Sequence, residues 1–408
     1  MRLTVERLGH LGDGIAPGPV FVAGALPGEV VEGAVEGNRV AAPRIVAPSP
    51  DRVRADCPHY RACGGCSLMH ASDAFLAGWK QEVVRSALEG QGLAAPVRGI
   101  STSAPGSRRR ATLSGRRTKN GVVVGFHGRA SDTVTAIPDC RLLRPELLRA
   151  IPAMEEVTSV GASRKGELSM TATLTEGGID LAVTGGKPLD SDLFSALAAI
   201  AGGADFARLT WEGESVIAAR PAEQRFGRTL VAPPPGGFLQ ATHEGEASLV
   251  RFVVEAIGSA RRVADLFAGS GTFTLPILER CEVHAAEGER SAITALDAAW
   301  RRAANLRQLT AESRDLFRRP LTPDELAGFD AVVIDPPRAG AEAQFAQLAA
   351  SGVPVVAAVS CNPVTFAHDA RIMADAGYTI DWIEVVDQFR WSPHVELVAR
   401  LSHSPKSA

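Results

Sequence analysis

Apolar residues follow three different rhythms along this chain. Over residues 1–50 they alternate with polar ones in short runs broken by glycine and proline: LTVERLG, PVFVAGALPGEVVEGAVEG and NRVAAPRIVAPSP. That alternation, with turn residues at roughly ten-residue spacing, predicts short strands closing into a small β-barrel. Pro48, Ser49 and Pro50 then read as a linker. The segment DAFLAGWKQEVVRSALEGQGL changes to helical spacing and stops at glycine, which predicts a helix over 73–90, open to packing on the last domain. From about residue 98 to 230 the rhythm returns to alternating strands and hairpins, as in ATLSGRR, GVVVGFHG and LSMTATLTEGGIDLAVTGG. The proline-glycine run Val231 to Gly237 marks the next boundary.

Residues 231–408 differ again. Continuous apolar runs (RVADLF, CEVHAAE, FDAVVID, VPVVAAVS) are separated by helical segments such as SAITALDAAWRRAANL and NPVTFAHDARIMADAG. Strands that are apolar on both sides, joined by helices, predict an α/β domain with a parallel sheet covered on both faces. The expected organisation is a barrel over 1–50, a central β-rich domain over 51–230 and an α/β domain over 231–408.

At 408 residues with 45% hydrophobic content, the chain can fill two or three cores. No run approaches the roughly 18 apolar residues of a membrane span. The start MRLTVERLGHLGDGI lacks the apolar core of a signal peptide, so the expected location is the cytoplasm, with no membrane partner. The net charge of −3 does not by itself point to nucleic acid. Between Arg98 and Arg149, however, 11 Lys/Arg stand against 3 Asp/Glu. Arg108, Arg109, Arg110, Arg116, Arg117 and Lys119, followed by Phe126 and Arg129, make this stretch a candidate phosphate track. Residues 1–50 hold 4 Lys/Arg and 5 Asp/Glu, so no strong electrostatic grip is expected there.

Candidate chemistry gathers at the strand ends of the last domain. After Asp265 the loop Leu266-Phe267-Ala268-Gly269-Ser270-Gly271-Thr272 lets backbone approach a ligand, and Glu287 follows 22 residues after Asp265 at the end of the next strand. With Asp335-Pro336-Pro337-Arg338 at a third strand end, these residues predict an adenosyl site. There is no Gly-x-Gly-x-x-Gly for a dinucleotide and no Walker lysine for a triphosphate. In Ser360-Cys361-Asn362-Pro363 a thiol sits where a strand meets a helix N-terminus, a position that favours thiolate. A thiolate adding to C6 of a pyrimidine makes C5 nucleophilic toward a sulfonium methyl, and a base must then remove the C5 proton. Glu396 is the candidate base, with His394 beside it as the fallback. Taken alone, Cys361 also reads as a small buried hydrophobe.

Four of the six cysteines lie early: Cys57, Cys63, Cys66 and Cys140. One Cys-x-x-Cys with two outlying cysteines suits an iron–sulfur cube better than the paired knuckles of structural zinc, though zinc and unligated thiols both stay open. Cys281 reads as packing.

The segments DLFAGSGTFTL, DPPRAG, SCNPVTFAHD and DQFRWSPHVELVARL resemble the successive signatures of the RNA 5-methyluridine methyltransferases. The resemblance implies a Rossmann-like class I methyltransferase domain, S-adenosyl-L-methionine as cofactor, and RNA uridine C5 as target. It assigns Cys361 as nucleophile, Glu396 as base, and Gln240, Phe267, Glu287 and Asp335 as cofactor contacts, with Asp315 a weaker carry-over. It also implies a TRAM-like, OB-like N-terminal barrel, a [4Fe–4S] cluster on the four early cysteines, a monomer, and 23S rRNA as substrate, with tRNA as the alternative. Ala241-Thr242 and Arg390-Trp391-Ser392 depart from the family pattern and put substrate contacts in question. Three other readings remain: an amino methyltransferase using the Asp-Pro-Pro loop, a cytosine-C5 enzyme, and a non-catalytic iron–sulfur RNA-binding protein.

Overall fold

The computed structural model describes residues 1–119 and 121–403; the last five residues of the 231–408 domain lie outside the described residues. The N-terminal segment forms two small sheets. Arg2–Thr4, Val30–Glu32 and Arg44–Ala47 make one, and Arg7–Leu8, Gly14–Ala16, Val20–Val22 and Arg39–Val40 the other. Their alternate apolar residues, among them Leu3, Val22, Val31 and Val40, meet in one core. The buried Glu29 carboxylate ties this unit to the linker, accepting from Leu26 N (2.8 Å), Ser49 N (3.1 Å) and Arg52. Burial works against its ionisation, but the Arg52 guanidinium and the two amides outweigh it and hold the pKa down.

The central unit is a seven-stranded sheet: Val134–Ala136, Gly121–His127, Arg110–Thr118, Glu167–Thr175, Gly178–Thr184, Arg208–Trp211 and Glu214–Ala218, in that spatial order. All neighbours are antiparallel except Gly178–Thr184 and Arg208–Trp211, which the helix Ser191–Gly203 joins as a crossover. That helix and Ile151–Gly161 bury leucine and valine on one face of the sheet.

The third unit is an eight-stranded sheet. Its spatial order is Leu309–Ser313, Glu282–Glu287, Arg262–Leu266, Ala331–Ile334, Val355–Ser360, Glu396–His403, Tyr378–Asp387 and Val97–Thr102. The first five strands are parallel, and Glu396–His403 is inserted antiparallel between Val355–Ser360 and Tyr378–Asp387. Alternation sends Leu266, Ile334 and Val356 to one core and Val263, Val333 and Ala357 to the other. The boundary expected at residue 231 is crossed here: Val97–Thr102 closes the sheet edge parallel to Tyr378–Asp387. The helix Asp73–Glu89 buries Val84 and Leu88 in the same core. Segment 73–102 thus serves this sheet, not the central unit. The sequence leaves the helix open to this docking, but for the strand local patterning names no partner nearly 300 residues away.

Candidate active site

The crevice lies at the C-terminal ends of the parallel strands, where such sheets hold ligands. After Arg262–Leu266 the chain passes through Phe267 with φ at 63°, a conformation rarely adopted by a side chain of this size, held by its amide donating to Ala286 O at 2.9 Å. The Phe267 ring leans on Phe317, centroids 5.4 Å apart, and Phe317 is half exposed. Gly271, at φ 99°, could take no side chain, because a Cβ would lie 2.6 Å from Leu296. The helical stretch after this loop is short, Thr274–Ile277, with turns on either side.

Glu287 is aimed by backbone: Oε2 accepts from Gly269 N (3.0 Å) and Oε1 from Glu289 N (2.8 Å). Each oxygen keeps a second acceptor site for a ligand hydroxyl. Asp315 instead caps a local turn, accepting from Phe317 N (3.0 Å) and Arg318 N (3.2 Å). Beneath the loop, Asp265 is fully buried; Thr274 donates to Oδ2, while Oδ1 has no hydrogen-bond partner among the described residues. Burial, with the Glu287 charge nearby, pushes its pKa up to about 7. Asp335 is pushed up to about 7 as well, by burial and then by Asp265. The crevice is short of positive charge.

Cys361 and Glu396 meet through strand register. Val355–Ser360 pairs antiparallel with Glu396–His403 as far as Ser360 facing Leu397, so Cys361, the residue after the one strand's last, comes beside Glu396, the other strand's first, and lies within reach of its charge. The turn beyond Ser360 is braced: Asn362 caps the helix Pro363–Asp375 by accepting from Val364 N (3.2 Å). Asn362 Nδ2 (3.0 Å) and Thr365 Oγ1 (3.3 Å) donate to Arg338 O, locking the Asp-Pro-Pro-Arg loop to the cysteine turn. The expected low-pKa thiol is not found. Burial first, then the charges of Glu396 and Asp335, push Cys361 up to about 11, and only Arg338 and the local backbone pull the other way. The helix terminus is outweighed by desolvation and two carboxylates. Glu396, buried and beside Asp335, is itself pushed up to about 8. His394 Nδ1 is bonded to Arg338 Nη1 at 3.0 Å.

Gln240 and Glu396 share a partner that sequence reading missed. The side-chain amide of the buried Gln388 donates to both Gln240 Oε1 and Glu396 Oε2, while its own oxygen accepts from Thr242 N (3.3 Å). Thr242 can only donate there, so the amide's orientation is set, and with it that of Gln240, which accepts through Oε1. Gly245 lets Gln388 approach, since a Cβ would stand 2.6 Å from Gln388 Cβ. Gln388 lies in the DQF segment without any spacing signal to mark it. The two departures from the family pattern have structural work. Thr242 caps the helix His243–Ile257, accepting from Gly245 N at 3.0 Å. Trp391 O accepts from Ser67 N and Leu68 N, both 2.9 Å, and Arg390 pairs with Asp73.

Cys57, Cys63, Cys66 and Cys140 line one small pocket with Tyr60, Met69 and Phe126. Gly65 N donates to Cys63 Sγ and Leu142 N to Cys140 Sγ, each at 3.4 Å. Burial and mutual repulsion push Cys66 up to about 12, with Arg108 opposing. Among the described residues, no group of three or more His, Cys, Asp or Glu gathers as a metal-ion site. Cys281 is buried, its thiol donating to Ala260 O at 3.0 Å.

The phosphate track needs correction. Arg109 is buried, paired with Glu246 at 2.5 Å and donating to Gln240 O at 3.3 Å. Arg110 donates to Gly236 O (3.0 Å) and Arg116 pairs with Glu167. Arg117 and Lys119 are exposed. A charge run does not announce a carboxylate 137 residues away. A second basic surface lies elsewhere: a cleft of about 940 Å³ lined by Arg52, Arg54, Arg61 and Arg141, of which the last three are exposed. Another cleft, about 790 Å³, runs between the N-terminal unit and helix Asp73–Glu89 to the exposed Val364, three residues past Cys361.

Comparison with known proteins gives a consistent picture. Residues 231–403 match the family described as tRNA (Uracil-5-)-methyltransferase. An RNA methyltransferase of Brucella suis biovar 1 (strain 1330) is 43% identical over 404 residues, 98% of this chain and 97% of that protein. The 23S rRNA (uracil(1939)-C(5))-methyltransferase RlmD of Halomonas elongata is 34% identical over 441 residues, 100% of this chain and 90% of that one. In fold, the chain is similar to the Pyrococcus abyssi tRNA (uracil-54, C5)-methyltransferase crystallised with S-adenosyl-L-homocysteine, with a TM-score of 0.73 at 24% identity, covering 98% and 99% of the two chains. Among the described residues no helix is long and apolar enough to cross a membrane.

Proposed function

The chain belongs to the RNA uracil-5 methyltransferase family, and from that premise we propose that it methylates C5 of a uridine in 23S rRNA through a covalent Cys361 adduct. The observation that supports the reading is the antiparallel strand pair whose abutting ends carry Cys361 and Glu396 close enough for the carboxylate to act on the thiol. The Cys361 thiol loses its proton to water, the thiolate bonds to C6, and the C5=C6 pair moves to C5. C5 then bonds to the methyl of S-adenosyl-L-methionine, whose sulfur keeps the bonding pair and leaves as S-adenosyl-L-homocysteine. Glu396 takes the C5 proton, C5=C6 re-forms, and the C6–S bond breaks with its pair returning to sulfur. Attack on C6 requires the base face to be open, so the uridine is unpaired or flipped out.

Gln240, Phe267, Glu287 and Asp335 are the proposed cofactor contacts. Glu287, aimed by two amides, would take ribose hydroxyls, and the carboxylate-rich crevice suits a cofactor bearing a sulfonium. The N-terminal unit would be the TRAM-like barrel. Exposed arginines around the 940 Å³ cleft, with Arg117 and Lys119, would carry RNA phosphates into a cytoplasmic, monomeric enzyme. The RlmD relative supports 23S rRNA over tRNA.

For a [4Fe–4S] cluster the support is chemical, a set of four thiols lining one pocket, although among the described residues they do not gather closely enough for a single metal ion. Four thiols share one pocket, amides point at two of the sulfurs, and Arg108 supplies positive charge. A cluster there would stabilise four thiolates and pin the linker to the central sheet; none of the steps above passes through it.

The deciding experiment is to map 5-methyluridine in RNA from a strain lacking the gene. Loss of one 23S rRNA site supports the reading; loss from tRNA moves the target, and no loss removes it.

A further inference from the structure

Four buried positions on helix Asp73–Glu89 recur at four-residue spacing: Leu76, Lys80, Val84 and Leu88. Three are apolar, as a stripe facing a core requires. The fourth is a lysine wholly withdrawn from solvent. Its Nζ binds Asp387 Oδ1 at 2.5 Å and Phe389 O at 3.2 Å. A buried ion pair costs several kcal/mol in desolvation for each charge, and an aliphatic side chain would complete the stripe without it.

What Lys80 holds explains its presence. Asp387, Gln388 and Phe389 form the turn that ends strand Tyr378–Asp387, and Lys80 grips both sides of Gln388. Gln388 is the residue that bonds Glu396 and Gln240 together. The charged and titratable groups around Glu396 come from four elements. Asp335 lies after Ala331–Ile334, Asp387 ends Tyr378–Asp387, Cys361 follows Val355–Ser360, and Lys80 is on the helix. Asp335 and Asp387 oppose ionisation of Glu396, whereas Lys80 favours it. Around Lys80 itself stand Asp387, Glu396 and Arg390.

We propose that Lys80 is a positioning residue for the second half of the reaction. It fixes the Asp387–Phe389 turn that orients Glu396, and it supplies the counter-charge against which Glu396 ionises. The proposal rests on Glu396 being the base that removes the C5 proton. Without the ammonium, Glu396, already pushed up to about 8 by burial and Asp335, becomes harder still to ionise. The methyl is then transferred, the C5 proton stays in place, and the RNA remains bonded to Cys361.

The test uses the full-length protein, methyl-labelled S-adenosyl-L-methionine and bulk RNA from a strain lacking the gene. Release of labelled RNA from the covalent adduct is followed in single turnover across pH. Lys80→Met is expected to accumulate adduct at pH 7.5 and to move the acid limb of release upward by about one unit, roughly tenfold slower release on that limb. Lys80→Arg, which keeps the charge, is expected to restore release. Asp387→Asn removes an anion beside Glu396 and is expected to move the limb the opposite way. A purely structural pair would shift both variants alike or leave the pH profile unmoved, and either result overturns the proposal. If Lys80→Met does not fold, the direction of the Asp387→Asn shift and rescue by Lys80→Arg decide the matter. Glu396→Gln separates the two claims: adduct in that variant but none in Lys80→Met defeats the role of Lys80 alone, while no adduct in Glu396→Gln defeats the base assignment beneath it.

Discussion

Cys361 and Glu396 stand at the abutting ends of an antiparallel strand pair, and burial first, then the carboxylate, makes the thiol harder to ionise. Both groups are therefore wanted deprotonated, but at different stages: thiolate before methyl transfer, carboxylate after it. Cys361→Ala should bind RNA and cofactor yet form neither adduct nor product. Glu396→Gln should accumulate a covalent protein–RNA species labelled from the cofactor methyl. Because one opposing charge is gone, it should form that adduct at lower pH than wild type. A denaturing gel reads both outcomes, and labelled adduct in Cys361→Ala would remove Cys361 as the nucleophile.

Stability without ligand should fall as pH rises through the neutral range. Asp265 and Asp335 are pushed up to about 7 and Glu396 to about 8, against ordinary carboxylate values near 4. Below those ordinary values both folded and unfolded chains are protonated and the contribution is complete. Between about pH 5 and 8 the folded chain holds more protons than the unfolded one, so added base favours unfolding. S-adenosyl-L-methionine, with its sulfonium, should offset this more than S-adenosyl-L-homocysteine does. Thermal melts from pH 5 to 8, with each ligand and without, check the sign. A melting temperature that climbs with pH in the free protein contradicts it.

Glu287→Ala should weaken S-adenosyl-L-methionine binding by about 1–3 kcal/mol, because it removes a charge-assisted acceptor already aligned by Gly269 and Glu289. Asp315→Ala, which loses a turn cap, should leave affinity nearly unchanged. Calorimetric titration distinguishes the two, and equal effects would mean that Glu287 does not touch the ribose.

Arginines divide into two classes. Neutralising Arg54, Arg61 and Arg117 should weaken RNA binding and flatten its salt dependence by about one unit of slope or slightly less per lost phosphate contact. Arg109→Gln should leave the slope alone and cost about 3–5 kcal/mol of stability, since it strands Glu246 in a buried position. Salt titrations of RNA binding beside denaturant melts give both readings, and an altered slope in Arg109→Gln would return that residue to the RNA face.

Protein prepared without oxygen should be brown and carry about four irons and four sulfides per chain. Replacing Cys66 with serine should bleach it. A colourless protein with stoichiometric zinc would exclude the cluster.

Much of the catalytic unit was legible because its signals are local. Continuous apolar runs marked the parallel strands, and Cys361, Glu287 and Asp335 follow directly on strand ends where ligand chemistry sits. What stayed hidden depends on distant partners. Arg109 looks like its neighbours until Glu246 is seen beside it, and Lys80 meets Asp387 across 307 positions. The Cys361 environment was misread for a related reason: a helix terminus is visible in sequence, whereas burial and the two nearby carboxylates are products of packing. Lys80 had left a trace, a charge at the centre of the Leu76–Val84–Leu88 stripe.

Threading the chain through the eight-stranded sheet sets an order of assembly during synthesis. Strand Val97–Thr102 leaves the ribosome early, while its ladder partner among the described residues, Tyr378–Asp387, is among the last segments made. Strand Glu396–His403, which links that partner to the rest of the sheet, comes later still. The central sheet is different, since all seven strands lie within 110–218 and can pair while translation continues. Nascent chains arrested before residue 378 should therefore carry a protease-resistant middle flanked by a digestible helix Asp73–Glu89, its lysine still waiting for a counter-ion.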